Sequence, residues 1–343
     1  MISKYIDLKE DNNLENLIEP AEALKNGKLV LFPTETVYGI GANALNEEAV
    51  KRIFIAKGRA QDNPLIVHVS DEEMLSNLVE DIGEIEKRLI EKFWPGPLTI
   101  IFEKKPIIPD VITGGLNTVA VRMPSNIIAR KLIELSNVPV AAPSANISGK
   151  PSGTDIKDII DELDGKVDFI VDSGRVDIGL ESTVVRIIEG TVHILRPGKI
   201  TPEDIRNLGI DVAIEKQILG EYNKEEKVLS PGIKYKHYAP KTKCLLVYSN
   251  DEDKLVEKIN ENIDGKKAVV ISKTSNLKKY NAKYKLDMGQ TLEEITNNIF
   301  TLLRKADRHN VELIVIEGVK KEGLGLAIMN RLLRACSHNY IEY

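Results

Sequence analysis

The sequence predicts an α/β protein of two domains, and three observations carry that prediction. At 343 residues the chain is longer than a single hydrophobic core comfortably organises. From residue 14 to residue 208, short apolar runs of strand character alternate with segments of helical period. The rhythm stops across 211–241 and then resumes to the C-terminus, which divides the chain into 1–210, a linker 211–241 and 242–343.

Taken in order, Leu14 to Asn26 has helical spacing and stops at Gly27. Lys28 to Phe32 is a short strand ended by Pro33. Asn46 to Lys57 predicts a helix with Val50, Ile53 and Phe54 on one face. Leu65 to Val69 is a strand, and Glu72 to Lys92 holds one or two helices. Strands are expected at Leu98–Phe102, Thr118–Arg122, Val138–Ala142, Val167–Val171, Thr183–Ile187 and Thr191–Leu195, with helices at Ser125–Leu135, Thr154–Leu163 and Thr201–Leu208. The last opens on Thr201-Pro202-Glu203-Asp204, an N-cap residue followed by proline and acids that suit the helix dipole. Residues 211–241 are charged and end in the proline-bracketed run from Ser230 to Pro240, which reads as a linker. Beyond it, strands Cys244–Tyr248, Ala268–Ile271 and Leu313–Ile316 alternate with helices Asp251–Ile263, Leu292–Asp307 and Leu326–Ala335. That pattern predicts a small α/β domain with a largely parallel sheet.

Composition narrows the class of function. A net charge of −5 argues against a protein whose main task is gripping a nucleic-acid backbone, though it leaves room for a local basic pocket. Two distant cysteines, Cys244 and Cys336, exclude a multi-cysteine zinc site and a disulfide framework, so no metal ligands are expected. Met1 to Asn13 is polar, with no apolar run of signal-peptide type, and no stretch is long enough to span a bilayer. The cytoplasm is the default expectation.

Several strand ends carry small polar residues, glycine and proline where plain connections would do, and strand ends are where α/β proteins bind ligands. Thr34, Glu35 and Thr36 follow the first strand, as groups that can hold a small polar ligand or as an ordinary polar turn. Gly39-Ile40-Gly41-Ala42-Asn43-Ala44 fits a weak G-x-G-x-x-A pattern, but six residues separate Phe32 from Gly39, and a dinucleotide turn follows its strand directly. Lys57 and Arg59 flank Gly58 and can clamp phosphates; for Lys57 alone, a favourable place at a helix C-terminus is explanation enough. His68 faces the opposite side of its strand from Val67 and Val69. Arg122 ends an apolar strand and needs a partner, for which an anionic ligand is one candidate. Ser144, Asn146 and Ser148 give a loop suited to close contacts with a nucleotide, or a Ser/Asn turn. Glu181-Ser182-Thr183 and Arg196-Pro197-Gly198 also lie at strand ends. There is no P-loop, no G-x-S-x-G and no H-E-x-x-H, so an enzyme built on this chain works by positioning and charge stabilisation rather than through a protein nucleophile.

Taken jointly, the ordered segments FPTETVYGIGANA, KGRAQDNPLIVH, WPGPLT, TVAVRMP, APSANISG, ESTVV and LRPG resemble the L-threonylcarbamoyladenylate synthase family over residues from about 20 to 205. SPGIKYKHYAP and GLGLAIMNRLLRA resemble its longer, two-domain form. The resemblance implies a twisted open mixed sheet with helices and a concave nucleotide cavity, plus a smaller Rossmann-like C-terminal domain. It implies the joining of L-threonine, bicarbonate (or CO₂) and ATP with Mg²⁺, release of pyrophosphate, and supply of the product to tRNA threonylcarbamoyl-transfer proteins. By the same resemblance Thr34, Thr36, His68, Arg122, Ala142 (through its backbone) and Ser182 serve threonine, with Arg122 on its carboxylate. Lys57, Arg59, Asn63, Thr118, Ser144, Asn146, Ser152 and Arg196 serve ATP, Lys57 and Arg59 as the catalytic cations. Lys234 and Tyr235 close over the nucleotide, with the C-terminal domain acting as a lid or regulator. Two other readings are weighed: a carbamoyl-adenylate-forming carbamoyltransferase, against which the paucity of cysteines speaks, and an RNA-binding module, against which the acidic charge and the single tryptophan Trp94 speak. Direct tRNA binding is not expected to dominate.

Overall fold

The computed structural model describes residues 2–10, 13–215, 218, 220 and 237–343. They form two compact units, one holding 2–148 and 153–218, the other 149–152 and 237–343.

The strands of the first unit are β1 (Lys4–Asp7), β2 (Val30–Phe32), β3 (Gly39–Asn43), β4 (Ile66–His68), β5 (Leu98–Glu103), β6 (Thr118–Arg122), β7 (Val140–Ala141), β8 (Phe169–Asp172), β9 (Thr183–Ile188), β10 (Thr191–Arg196) and β11 (Val212–Ile214). They join in one open mixed sheet in the order β1-β8-β2-β3-β7-β4-β6-β5-β9-β10-β11. β7 runs antiparallel to both β3 and β4, whereas β4 and β6 run parallel. The helix Glu47–Lys57 starts on Asn46, whose side chain accepts from the Ala49 amide. It carries Glu47 and Glu48 in its first turn and Lys57 in its last, and Gly58 closes it in the left-handed conformation. Thr201 and Asp204 make the expected capping box ahead of Pro202–Arg206.

Helices Ile18–Lys25 and Ile127–Ser136 cover one half of a sheet face. There Leu24, Ala129, Leu132 and Ile133 pack with Val30, Phe32, Val140, Phe169 and Val171. By register Val140 lies opposite His68 and His68 opposite Arg122, so the same face continues past β4. In that second half a small cluster of Ile66, Ile101, Ala120, Val184 and Leu195 consists of strand residues alone. Period-two alternation sets Thr99, Thr118, Arg122 and His68 on this side with them.

Three expectations are corrected. Gly39–Asn43, for which no strand is expected, forms one, pairing Phe32 with Gly39 and Val30 with Gly41. A Cβ at Gly41 would lie 2.7 Å from the Phe32 ring and 2.9 Å from Val140 Cγ1, so this glycine serves strand packing. Thr154–Leu163 is not one helix but a 3-10 turn, Ile156–Asp158, and a short helix, Ile160–Leu163, broken at Ile159. Val212–Ile214 is an edge strand inside what reads as linker, parallel to β10.

The second unit holds β12 (Cys244–Tyr248), β13 (Ala268–Ser272), β14 (Tyr284–Asp287), β15 (Leu313–Glu317) and β16 (Tyr340–Glu342), ordered β14-β13-β15-β12-β16 and parallel throughout. Glu317 at the end of β15 is fully buried. Its carboxylate accepts from the Asn276 amide at 3.1 Å, the Tyr280 hydroxyl at 3.0 Å and the Lys273 backbone N–H at 3.2 Å. Among the described residues no helix is long and apolar enough to cross a membrane.

Gly198 makes a tight backbone approach beside the polar half-face. A Cβ there would lie 2.4 Å from Thr183 N and 2.7 Å from both Glu181 O and Ser182 C. These are backbone atoms of a paired strand and cannot give. Gly198→Ala is therefore expected to cost about 1–3 kcal/mol or more, read as a lowered Tm or urea midpoint; an unchanged midpoint would refute the packing.

Candidate active site

The expected site residues form four contact groups. In the first, Thr34 Oγ1 donates to Val37 O at 2.6 Å and accepts from the Thr36 and Val37 amides, each at 3.2 Å, which winds residues 34–37 into a tight hydroxyl-capped turn. The Thr34 and Thr36 hydroxyls lie 2.9 Å apart. Arg122 Nη1 donates to Thr36 Oγ1 at 2.9 Å, and its Nε donates to Gly96 O at 3.2 Å.

The partner that Arg122 requires is internal. Its Nη2 lies 2.6 Å from Glu35 Oε2, a charge contact not aligned as a hydrogen bond, and both side chains are almost wholly buried. The need of a buried cation for a counter-charge therefore does not by itself point to a ligand, which corrects the inference drawn from Arg122's position at a strand end. Burial pushes the Glu35 carboxyl up. The Arg122 charge and the 3.2 Å hydrogen bond from the Ser125 amide outweigh it and hold the group below its ordinary value. His68, beside Arg122 across the β4–β6 ladder, is pushed down to about 3, by burial first and by the Arg122 charge second. It is a neutral imidazole at any working pH, and its Nδ1 has no hydrogen-bond partner among the described residues.

The second group gathers on Lys57. This side chain at the end of its helix is 1% exposed, so helix-dipole compensation at a surface does not describe it. Its ammonium donates to Ser144 O, to Asn146 O at 2.8 Å and to Asn146 Oδ1 at 3.2 Å, and Ser144 Oγ donates to Asn146 Oδ1 at 2.6 Å. The loop is stitched to the first group by Ala145 N donating to Tyr38 O at 2.6 Å and Ile40 N to Pro143 O at 3.0 Å.

In the third group Arg59 Nη2 donates to Pro64 O at 3.0 Å and to Asn63 O at 3.4 Å, while the buried Asn63 Oδ1 finds no partner among the described residues. In the fourth, a β-bulge between Ile194 and Arg196 sets Arg196 opposite Val184. Arg196 donates to Ser182 O from Nε at 3.1 Å and from Nη2 at 3.0 Å, and the Ser182 hydroxyl lies 2.7 Å from Thr99 Oγ1. Register places Thr99 beside Arg122, which joins this group to the first.

Three expected residues stand apart from these groups. Thr118 is buried at the far end of β6, four residues or about 13 Å of strand from Arg122. Ser152 is buried in the 149–152 stretch that belongs to the second unit. Ala142 lies at the end of β7, but its N–H already donates to Ile66 O at 3.0 Å, so only its carbonyl remains to serve a ligand. Lys234 and Tyr235, and with them most of the linker expected to close over the nucleotide, lie outside the described residues. Glu35 and Thr99 are the members of the constellation that motif reading leaves unassigned. A threonine in the middle of the apolar run Leu98–Phe102 is the sequence signal for Thr99. Among the described residues no three His, Cys, Asp or Glu side chains group so as to hold a metal ion.

Known proteins resemble this chain along its length. A family model described as "Telomere recombination" matches residues 22–198, and one described as "Threonylcarbamoyl-AMP synthase, C-terminal domain" matches 200–337. The threonylcarbamoyl-AMP synthase of Pyrococcus abyssi is 48% identical over 93% of each chain, and that of Bacillus subtilis 40% identical over 98% of each. A crystal structure of P. abyssi Sua5 complexed with L-threonine superimposes with a TM-score of 0.94 at 45% identity, covering 99% of this chain and 100% of that one. With both halves matched and full-length relatives sharing two-fifths or more of their residues, the chain belongs to the threonylcarbamoyl-AMP synthase family, in its two-domain form.

Proposed function

We propose that this chain makes L-threonylcarbamoyladenylate from L-threonine, bicarbonate (or CO₂) and MgATP, releasing pyrophosphate, for the t6A modification of tRNA. The observation that carries the reading is the convergence on one sheet face of a buried arginine, a neutral histidine and paired threonine hydroxyls, next to a buried lysine that organises a serine–asparagine loop. The relatives' names supply the reaction, and the threonine complex of P. abyssi Sua5 supplies the class of amino acid.

On this reading threonine lies against Thr34, Thr36, His68, Arg122, Ser182 and the Ala142 carbonyl, its carboxylate on the Arg122 guanidinium. The carbamate formed on its nitrogen attacks the α-phosphate, and negative charge builds on the phosphoryl oxygens. Lys57 and Arg59 meet that charge, and because Lys57 is held by neutral carbonyl oxygens, its positive charge is oriented but not cancelled by those contacts. Asn63, Ser144, Asn146 and Arg196 serve the nucleotide, with Thr118 and Ser152 further along it. Mg²⁺ enters with ATP and shields the triphosphate. No protein nucleophile is required. The product passes to tRNA threonylcarbamoyl-transfer proteins.

In a pyrophosphate-release assay, turnover should require threonine and bicarbonate together; release that ignores both would overturn the reading. Lys57→Ala is expected to lower kcat about a hundredfold, and near-normal ATP–pyrophosphate exchange would remove Lys57 from the phosphate role. Arg122→Ala is expected to raise the KM for threonine about tenfold or more, whereas an unchanged KM would count against the carboxylate pairing. His68 gives a pH test. Its pKa is about 3 in the folded chain and about 6.5 unfolded. Between those values only the unfolded chain is protonated, so stability is intact above about 6.5 and falls as pH drops toward 3. Denaturant titrations of His68→Gln across that window should show a shallower acid loss than the parent; parallel curves would refute the buried neutral imidazole.

A further inference from the structure

Arg122 is 3% exposed and Glu35 4% exposed, so this pair is buried before any ligand arrives. A guanidinium left without a counter-charge in such a place either costs several kcal/mol or swings toward water. Glu35 prevents both. It reaches Arg122 from a loop that is itself rigid. The Thr34 hydroxyl caps the turn, Glu35 O accepts from the Ile178 amide at 2.8 Å, and Glu35 Oε1 accepts from the Ser125 amide at 3.2 Å. Arg122 is thus gripped from three directions, by Gly96 O at Nε, Thr36 Oγ1 at Nη1 and Glu35 at Nη2. Of these only Glu35 carries charge, and only Glu35 links the guanidinium to both the Thr34–Thr36 turn and the chain leading into the Ile127–Ser136 helix.

We propose that Glu35 is the positioning residue for the amino-acid substrate: it acts through Arg122, presenting the remaining guanidinium N–H groups in a fixed direction to the threonine carboxylate. The inference rests on the reading that Arg122 receives that carboxylate. Ordering the arginine in advance removes the rotamer entropy that a loose side chain would lose on binding. The guanidinium then lies between two carboxylates, one resident and one arriving. The contacts of Lys57 and Arg59 described above do not include this pair, so the effect is expected on threonine rather than on ATP.

The test is a double-mutant cycle of Glu35→Gln, Arg122→Ala and the double variant, each with KM for threonine, KM for ATP, kcat and Tm. Glu35→Gln keeps the size and removes the charge. It should raise the threonine KM about tenfold, the scale of one charge-assisted contact, and leave the ATP KM within about twofold. In the Arg122→Ala background the same substitution should raise the threonine KM no further. A lowered Tm with the threonine KM unmoved, an equal rise in both KM values, or full additivity with Arg122→Ala would each overturn the inference. If Arg122→Ala raises the threonine KM and Glu35→Gln does not, this inference alone fails. If Arg122→Ala leaves it unchanged, the carboxylate reading fails as well. Should Glu35→Gln not fold, Glu35→Asp keeps the charge on a shorter stem. Its threonine KM should then rise by a smaller factor, and a parental value would be a refutation.

Discussion

A cation buried in a β-sheet needs its counter-charge and its hydrogen-bond acceptors in place when the chain folds, and much of the first unit is arranged around meeting that need at Arg122. The acceptors come from two separate segments, Glu35 and Thr36 after β2 and Gly96 between the Glu84–Phe93 helix and β5, and the cation itself from the end of β6. Removing one partner of such a buried pair costs about 3–5 kcal/mol, so the turn at 34–37, the Trp94–Leu98 segment and β6 are mutually dependent. The same charge sets the character of the neighbourhood. It holds Glu35 ionised against the pull of burial and helps keep His68 neutral.

On the proposed reading Lys57 serves the nucleotide side as Arg122 serves the amino-acid side, by different means. Its ammonium donates to backbone carbonyls and an amide oxygen of the Ser144–Asn146 loop, contacts that orient the charge. An arginine set against a carboxylate and an ammonium set by carbonyl oxygens fit the two proposed tasks. A carboxylate present throughout binding calls for a fixed fork, and charge that grows on phosphoryl oxygens calls for a compact cation.

Helices and central strands were largely legible in the chain. The caps at Asn46, Thr201 and Asp251 and the runs at Thr118–Arg122, Cys244–Tyr248 and Leu292–Asp307 stand where their patterns place them. Among the described residues, four strands that pattern reading missed, β1, β11, β14 and β16, are the outer strands of the two sheets. An edge strand is half-solvated and carries polar residues such as Lys4, Asp7, Lys285 and Glu342, so the apolar run that marks a central strand is missing. β3 was missed for another reason: its glycines break the apolar strand pattern, and the packing of the Phe32 ring against Gly41 shows why a strand needs them.

The order of the polar motifs along the chain was sufficient to determine the family, and through it the class of reaction and most of the residues that gather on the sheet face. It could not determine which of those residues meet one another. Lys57 with Ser144 and Asn146, and Arg196 with Ser182, are brought together by tertiary packing and by a bulge, neither of which is written in local pattern. Arg122 shows the difference most clearly. From the sequence it was a cation in need of an anion. The tertiary structure decided that the anion is Glu35, because folding places a loop carboxylate 2.6 Å from a strand-end guanidinium 87 residues away, and a buried charge takes the partner that folding itself can supply.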